Sequence, residues 1–216
     1  MTLAIFDLDH TLLNGDSDYL WGEYMAENGI VEATAYRARN LGFYDDYQNG
    51  TLDNDQYLEF SLEPLTRYSI KELYAWRRDY VKNWIIPIVR PGATALLEQH
   101  RQQGHKLMII SATHRFITEP IAQWFDVPTL LATEPEIQNN RYTGRYLGTA
   151  TFREGKVVAL NQWLDSSTHS LEGAWFYSDS INDLPLLEQV DNPVAVHPDA
   201  ELGPLAKSRG WEVLEL

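Results

Sequence analysis

Three short apolar runs, each stopping at polar residues, constrain this chain more than anything else in it. Residues 3–9 read LAIFDLD, residues 106–112 read KLMIISA and residues 174–179 read AWFYSD. Short runs that are apolar throughout suit strands buried on both faces, as in parallel sheets covered by helices. The stretches between them have helical patterns. One helix is predicted over 93–103, stopped by Gly104, and another over 155–164. A helix over 184–190 is followed by a strand at 193–196, and a helix after Asp199 by a strand at 211–214. A short strand is expected at 129–133 and a hairpin turning at Asn139-Asn140. This alternation predicts an α/β fold, a Rossmann-like parallel sheet with helices on both faces. Ligands of such sheets bind outside the carboxyl ends of the strands. Asp7, Asp9, Ser111 and Asp179 all fall at those ends.

Residues 14–88 have a different character. Tyr19, Leu20, Tyr24 and Met25 recur at helical spacing before Gly29, and Ser69 with Glu72 makes a capping box. The segment holds 14 of the 26 aromatic residues and no convincing strand. It reads as an all-helical cap (14–88) inserted into a core made of 1–13 and 89–216. Its aromatic residues, among them Trp21, Tyr24, Tyr36, Phe43, Tyr44 and Tyr47, are expected to form the cap's own core, because a small module needs large side chains to bury enough area. Arg90, before Pro91-Gly92, is expected to be structural, at the junction.

Composition narrows the function. A formal charge of −14 repels nucleic acid and anionic membranes, so neither is expected as a partner. No apolar run is long enough to span a membrane, the N-terminus has no basic signal region, and there is no cysteine. A cytoplasmic enzyme is expected, with the choice between monomer and homodimer left open. An acidic protein needs a local cation to hold any anionic substrate.

The pentapeptide Asp7-Leu8-Asp9-His10-Thr11 places two carboxylates one residue apart at a strand end. Their repulsion is relieved by a hard divalent cation such as Mg²⁺, which prefers oxygen ligands and shares its shell with phosphate. Ser111 and the amides from Ala112 onward stand where a strand-to-helix turn can hold phosphate oxygens. Lys156 opens a helix and supplies a candidate positive charge. In Ser178-Asp179-Ser180-Ile181-Asn182-Asp183, two acids four residues apart follow another buried strand. Each element is weak alone, but their order along the chain is specific. His10 and His114 are read as surface or hydrogen-bonded residues, and the six histidines have no zinc-like spacing.

With those motifs in place, the chain resembles the haloacid dehalogenase superfamily, in the branch typified by phosphoserine phosphatase, whose helical cap follows the first motif. The resemblance implies that Asp7 is a nucleophile, that Asp9 is the general acid and base, and that Thr11, Ser111, Ala112 and Lys156 bind phosphate. It implies Mg²⁺ held by Asp7, by the main-chain carbonyl of Asp9 and by Asp179, with Asp183 contributing directly or through water. Ser178 departs from the glycine that many members carry. Asp16 stands where related phosphatases have a Glu near the substrate amine, although a helix N-cap is an equal reading, and Asn182 matches the phosphoserine phosphatase pattern.

The expected activity is hydrolysis of a small phosphorylated metabolite through an aspartyl-phosphate. Histidinol phosphate is the leading candidate, because residues 14–88 carry 13 acidic and 7 basic side chains. Phosphoserine, transfer to an alcohol acceptor, and a non-catalytic binding role are the alternatives. Phosphoserine would need a cation for its carboxylate, for which Arg37 and Arg39 are the candidates.

Overall fold

The computed structural model describes all 216 residues, Met1–Leu216. Eight strands form in chain order: β1 (Leu3–Phe6), β2 (Lys106–Ser111), β3 (Thr129–Ala132), β4 (Glu134–Gln138), β5 (Arg141–Leu147), β6 (Trp175–Ser178), β7 (Asn192–Val196) and β8 (Glu212–Leu214). Six of them make one parallel sheet in the order β3-β2-β1-β6-β7-β8, while β4 and β5 pair as an antiparallel hairpin. The chain builds outward from β1 on one side, then returns to its other side. The switch point therefore lies at β1, where Asp7 and Asp9 emerge.

Successive residues of β1 point to opposite faces. Ala4 and Phe6 join a buried cluster with Ile109, Trp21, Tyr80 and Phe116, and Leu3 and Ile5 join a second with Met108, Ile110 and Phe176. The continuous apolar pattern of the strand follows from being covered on both sides.

The helical cap comprises α1 (Ser17–Glu27), α2 (Ala33–Gln48), α3 (Asn54–Leu62) and α4 (Ile70–Tyr80). The capping box of Ser69 and Glu72 starts α4 as expected, and Asp16, Glu32 and Asp53 cap the other three with their side chains. At the base of the cap, between the end of β1 and α5, Leu13 and Val89 pair as an isolated antiparallel bridge. Arg90 fastens the junction by donating to the His10 carbonyl from Nε (3.1 Å) and Nη2 (2.8 Å). One expectation about the cap needs correction. Trp21, Tyr24 and Tyr80 share one cluster with Phe116 and Tyr142 from outside the cap, so its core is not its own. The hairpin also docks on it, with the Tyr146 hydroxyl donating to Asp55 at 2.7 Å.

The remaining helices are α5 (Ala93–Gln102), α6 (Arg115–Trp124), α7 (Glu154–Asp165), α8 (Leu184–Leu187) and α9 (Leu202–Arg209). Of the predicted elements, the helix over 184–190 is much shorter than expected, ending at Leu187.

Behind the sheet, His100 on α5 is buried with Nε2 2.8 Å from the Tyr177 hydroxyl and Nδ1 2.7 Å from Nδ1 of His105. Burial and the neighbouring His105 lower its pKa from 6.5 to about 4. The folded state thus binds this proton more weakly than the unfolded chain does. Relative to His100→Gln, the wild type is expected to keep its full stability above pH 6.5 and to lose it as pH falls toward 4. Urea denaturation of both proteins at about pH 7.5 and about pH 5 checks this, and a pH-independent difference would contradict it.

Candidate active site

The carboxyl ends of β1, β2 and β6 bring the sequence motifs together around one ammonium group. Lys156 is 3% exposed, and its Nζ donates to Asp7 Oδ1 and to Asp183 Oδ2, both at 2.7 Å. Burial pulls the lysine pKa down, but Asp183 and Asp7 outweigh it and hold the ammonium above its ordinary value. The first turn of α7 makes this possible. A Cβ on Gly155 would lie 1.8 Å from the Ala150 carbonyl oxygen, so no other residue fits there without moving the backbone. Arg153 just before it takes a left-handed conformation at φ 50°.

Asp7 follows β1, and its amide donates to the Tyr177 carbonyl at 2.9 Å. Burial raises its pKa to about 7, with Lys156 opposing and Asp183 and Asp9 adding to the rise. Asp9 turns the other way. Its Oδ1 accepts from the Ser17 amide at 2.6 Å and its Oδ2 from the Thr113 hydroxyl at 2.8 Å. Burial first, then Asp16, lifts it to about 6, so this carboxyl holds a proton more readily than a free one. Ser111 is buried with its Oγ accepting from the Thr113 amide at 3.1 Å, and it lines the inner cavity together with Ala112.

Several sequence expectations are revised by these contacts. Thr11 was expected on phosphate, yet it is fully buried and its Oγ1 is engaged by Asp179, donating to Oδ1 at 3.1 Å and accepting from the amide at 3.0 Å. It therefore clamps the loop after β6. Asp183, expected to serve the metal directly or through water, has Oδ2 accepting from Lys156 and from Ser178 Oγ at 2.7 Å, while its Oδ1 has no such partner. Asp183 thus positions the lysine, and the serine that departs from glycine gains a role. Asp7 and Asp183 meet on the Lys156 ammonium, and Asp179 forms no separate cluster of its own but interacts with both through its charge. Asp9 could offer only its carbonyl, its carboxylate being engaged elsewhere. Asp179 is raised well above the usual carboxylate range by burial, then by Asp7 and Asp183. Asp7, Asp179 and Asp183 face a single lysine, an excess of negative charge and hard oxygen donors that suits a divalent cation.

Asp16 takes the N-cap role considered for it. Its Oδ1 caps α1 by accepting from the amides of Asp18 and Tyr19 at 2.8 Å, and it also lines the inner cavity. Asn182 lines the same cavity, with Oδ1 accepting from Arg153 Nε at 2.9 Å. His10 lines it too, whereas His114 is fully buried with neither ring nitrogen hydrogen-bonded, unlike the surface residue expected.

The cavity measures about 60 Å³ and shares His10, Tyr44, Tyr47 and Asn182 with an outer vestibule of about 800 Å³. Phe43, Tyr44 and Tyr47, expected in the cap core, are walls of this inner space. Sequence reasoning missed Thr113, Arg153, Tyr47 and Asp18. Arg153 ties cap to core by donating also to the Gly50 carbonyl at 2.9 Å, and nothing in its local sequence marks that contact.

A haloacid dehalogenase-like hydrolase model matches residues 4–188. The chain belongs to the haloacid dehalogenase-like hydrolase family. It is a phosphatase of that family. A relative named histidinol-phosphatase, from Neisseria meningitidis serogroup C, is 46% identical over 98% of this chain and 97% of its own. The crystal structure of a protein described as of unknown function, from Bordetella pertussis Tohama I, superposes with a TM-score of 0.93 at 42% identity, covering 99% of both chains. A phospho-aspartyl intermediate analogue of a phosphoserine phosphatase reaches a TM-score of 0.70 at 16% identity, covering 98% of this chain and 91% of that one, which shows a shared fold.

Replacing Lys156 by Met leaves Asp7 and Asp183 buried without their cation. In metal-free protein this is expected to cost about 3–5 kcal/mol of unfolding free energy, read from urea denaturation. A loss below about 1 kcal/mol would mean that the two carboxylates do not depend on it.

Proposed function

We propose that this phosphatase hydrolyses histidinol phosphate, with Mg²⁺ and through an aspartyl-phosphate on Asp7, residues 14–88 serving as the cap that closes over the core. The observation that carries the substrate is the charge of the inner cavity. Its cap side presents Asp16 and Asp18 among aromatic walls, and its one lysine is held between Asp7 and Asp183. No arginine lines it. Arg37 is paired with Glu23 at 2.8 Å, and Arg39 lies over the Phe60 ring, so neither is there to receive the carboxylate of phosphoserine. A leaving group with an ammonium and an imidazole suits acids and aromatic rings. The relative called histidinol-phosphatase supports the same reading.

Asp7 and Asp179 would hold Mg²⁺ together with the carbonyl of Asp9. When bound, the ion neutralises charge on the phosphoryl oxygens. Asp7 Oδ attacks phosphorus in line, forming one P–O bond as the bond to the leaving oxygen breaks. Asp9, protonated, gives its proton to that oxygen and so releases the alcohol. As a carboxylate it then takes a proton from the water that attacks the phosphoaspartate, freeing inorganic phosphate. Lys156 and the Ser111 turn stabilise the charge spread over the phosphoryl group. The cap would exclude water during the first transfer.

Asp7→Asn is expected to abolish turnover while keeping the fold, and beryllium fluoride should place the phosphoryl mimic on Asp7 in the wild type. Finding it on His10 or Ser111 would overturn the mechanism. The kcat/KM for histidinol phosphate should exceed that for phosphoserine by about a hundredfold or more. A preference for phosphoserine would refute the substrate.

Metal binding has a readout independent of activity. At about a hundred times its Kd, Mg²⁺ should raise the Tm of chelator-treated protein by about 5–10 °C. Asp179→Asn should remove that rise, and a rise that persists in this variant would place the ion elsewhere.

A further inference from the structure

The imidazole of His10 has no part in the reaction described above, yet its place is firmly fixed. His10 follows Asp9 with φ 57°, a left-handed conformation uncommon for residues other than glycine. Three hydrogen bonds to its main chain hold it there. Arg90 donates to its carbonyl from Nε and Nη2, and its own amide donates to the Gly15 carbonyl at 3.0 Å. Strain of this kind persists where the surroundings over-determine it, commonly at functional sites. His10 borders both the inner cavity and the vestibule, so it stands at the mouth between them.

The cap supplies another wall of that mouth. The ring of Tyr44, on α2, has its centroid 6.5 Å from that of His10, with the two planes tilted by 41°. Tyr19 supports Tyr44 from 5.0 Å. Two rings that clasp a third stand about 7–8 Å apart, twice the contact distance between carbon atoms. The gap from His10 to Tyr44 is within about 1 Å of that spacing. The inner cavity, at about 60 Å³, has the bulk volume of about two waters. It has room for little beyond a phosphoryl group, so a ring carried by the leaving group has to lie at the mouth.

We infer that His10 and Tyr44 form a slot for a planar unsaturated ring of the leaving group and are specificity-determining residues, a role that rests on the substrate proposed above. One wall of the slot belongs to the core and the other to the cap. The slot therefore exists only while the cap is closed, and a ring held in it favours closure. Stacking reads the flat face of a ring rather than its particular atoms. The competing role is a packing contact between cap and core, which would serve every ester alike.

The test measures kcat/KM of the Mg²⁺-loaded full chain for histidinol phosphate and for 2-aminopropyl phosphate, which keeps the amine and lacks the ring. A third ester, 2-amino-3-phenylpropyl phosphate, carries a ring without imidazole nitrogens. The preference for a ring-bearing ester over the ring-lacking one should fall about tenfold in Tyr44→Leu and in His10→Asn, and persist in Tyr44→Phe. Combining the Leu and Asn variants should cost little more than either alone, because one wall makes no slot. Should a variant fail to fold, His10→Gly, which suits the left-handed position, goes through the same comparison. An equal fall on all esters, an unchanged preference, losses that multiply independently, or a preference lost in Tyr44→Phe would each overturn the assignment. A wild type that favours neither ring-bearing ester over 2-aminopropyl phosphate would overturn it too. If the phenyl ester proves the better wild-type substrate and its preference collapses in the same variants, the slot stands and histidinol phosphate does not.

Discussion

The contact between Lys156 and the two carboxylates of Asp7 and Asp183 holds the site together. Three charged groups are taken out of water there, and each is costly to bury alone. The arrangement is tolerable because the ammonium bonds both acids at 2.7 Å, while Ser178 supports the far one. These partners come from β1, α7 and the loop after β6, which are remote in the chain. Their mutual need fixes how closely α7 approaches the sheet ends. The tight turn at Gly155 and the left-handed Arg153 follow from that approach. One net negative charge remains among the three, with Asp179 close by, so the cluster draws in further positive charge.

Much of this was legible in the sequence because it is local. The buried runs ending at Asp7, Ser111 and Asp179 declare parallel strands and the end at which a ligand binds. The capping box at Ser69 declares a helix without reference to anything distant. What was not legible depends on contacts across the chain. Thr11 resembles a phosphate ligand until Asp179, 168 residues away, engages its hydroxyl. That Asp183 shares its Oδ2 with Lys156 could not be read from the sequence either. Asp18 is indistinguishable in sequence from any acid that opens a helix, since only folding brings His114 within 3.7 Å of it. Aromatic residues misled for a related reason. Composition says that Tyr44 and Tyr47 need burial, but cannot say whether a core or a cavity provides it.

The cap also shows how one helix can serve two ends. Asp16 starts α1 through its Oδ1 and also lines the inner cavity, and the Ser17 amide holds Asp9. Helix formation and orientation of the second acid are thus coupled, so a disturbance of the first turn of α1 is felt at both.

The pairing of Leu13 with Val89 has a consequence for how such a protein changes over time. All of residues 14–88 hangs from one narrow neck whose two sides touch. A segment joined in this way can lengthen or shorten at its outer loops while the chain beneath it still closes the same sheet, although its shared packing with Phe116 and Tyr142 ties the inner helices to that base. On the proposed mechanism, the phosphate-handling residues belong to that base, apart from the Ser17 amide. On the same proposal, the part that would meet the leaving group belongs to the pendant, apart from His10. Lineages can therefore explore new alcohols by altering the pendant, with selection on the charged cluster left almost undisturbed.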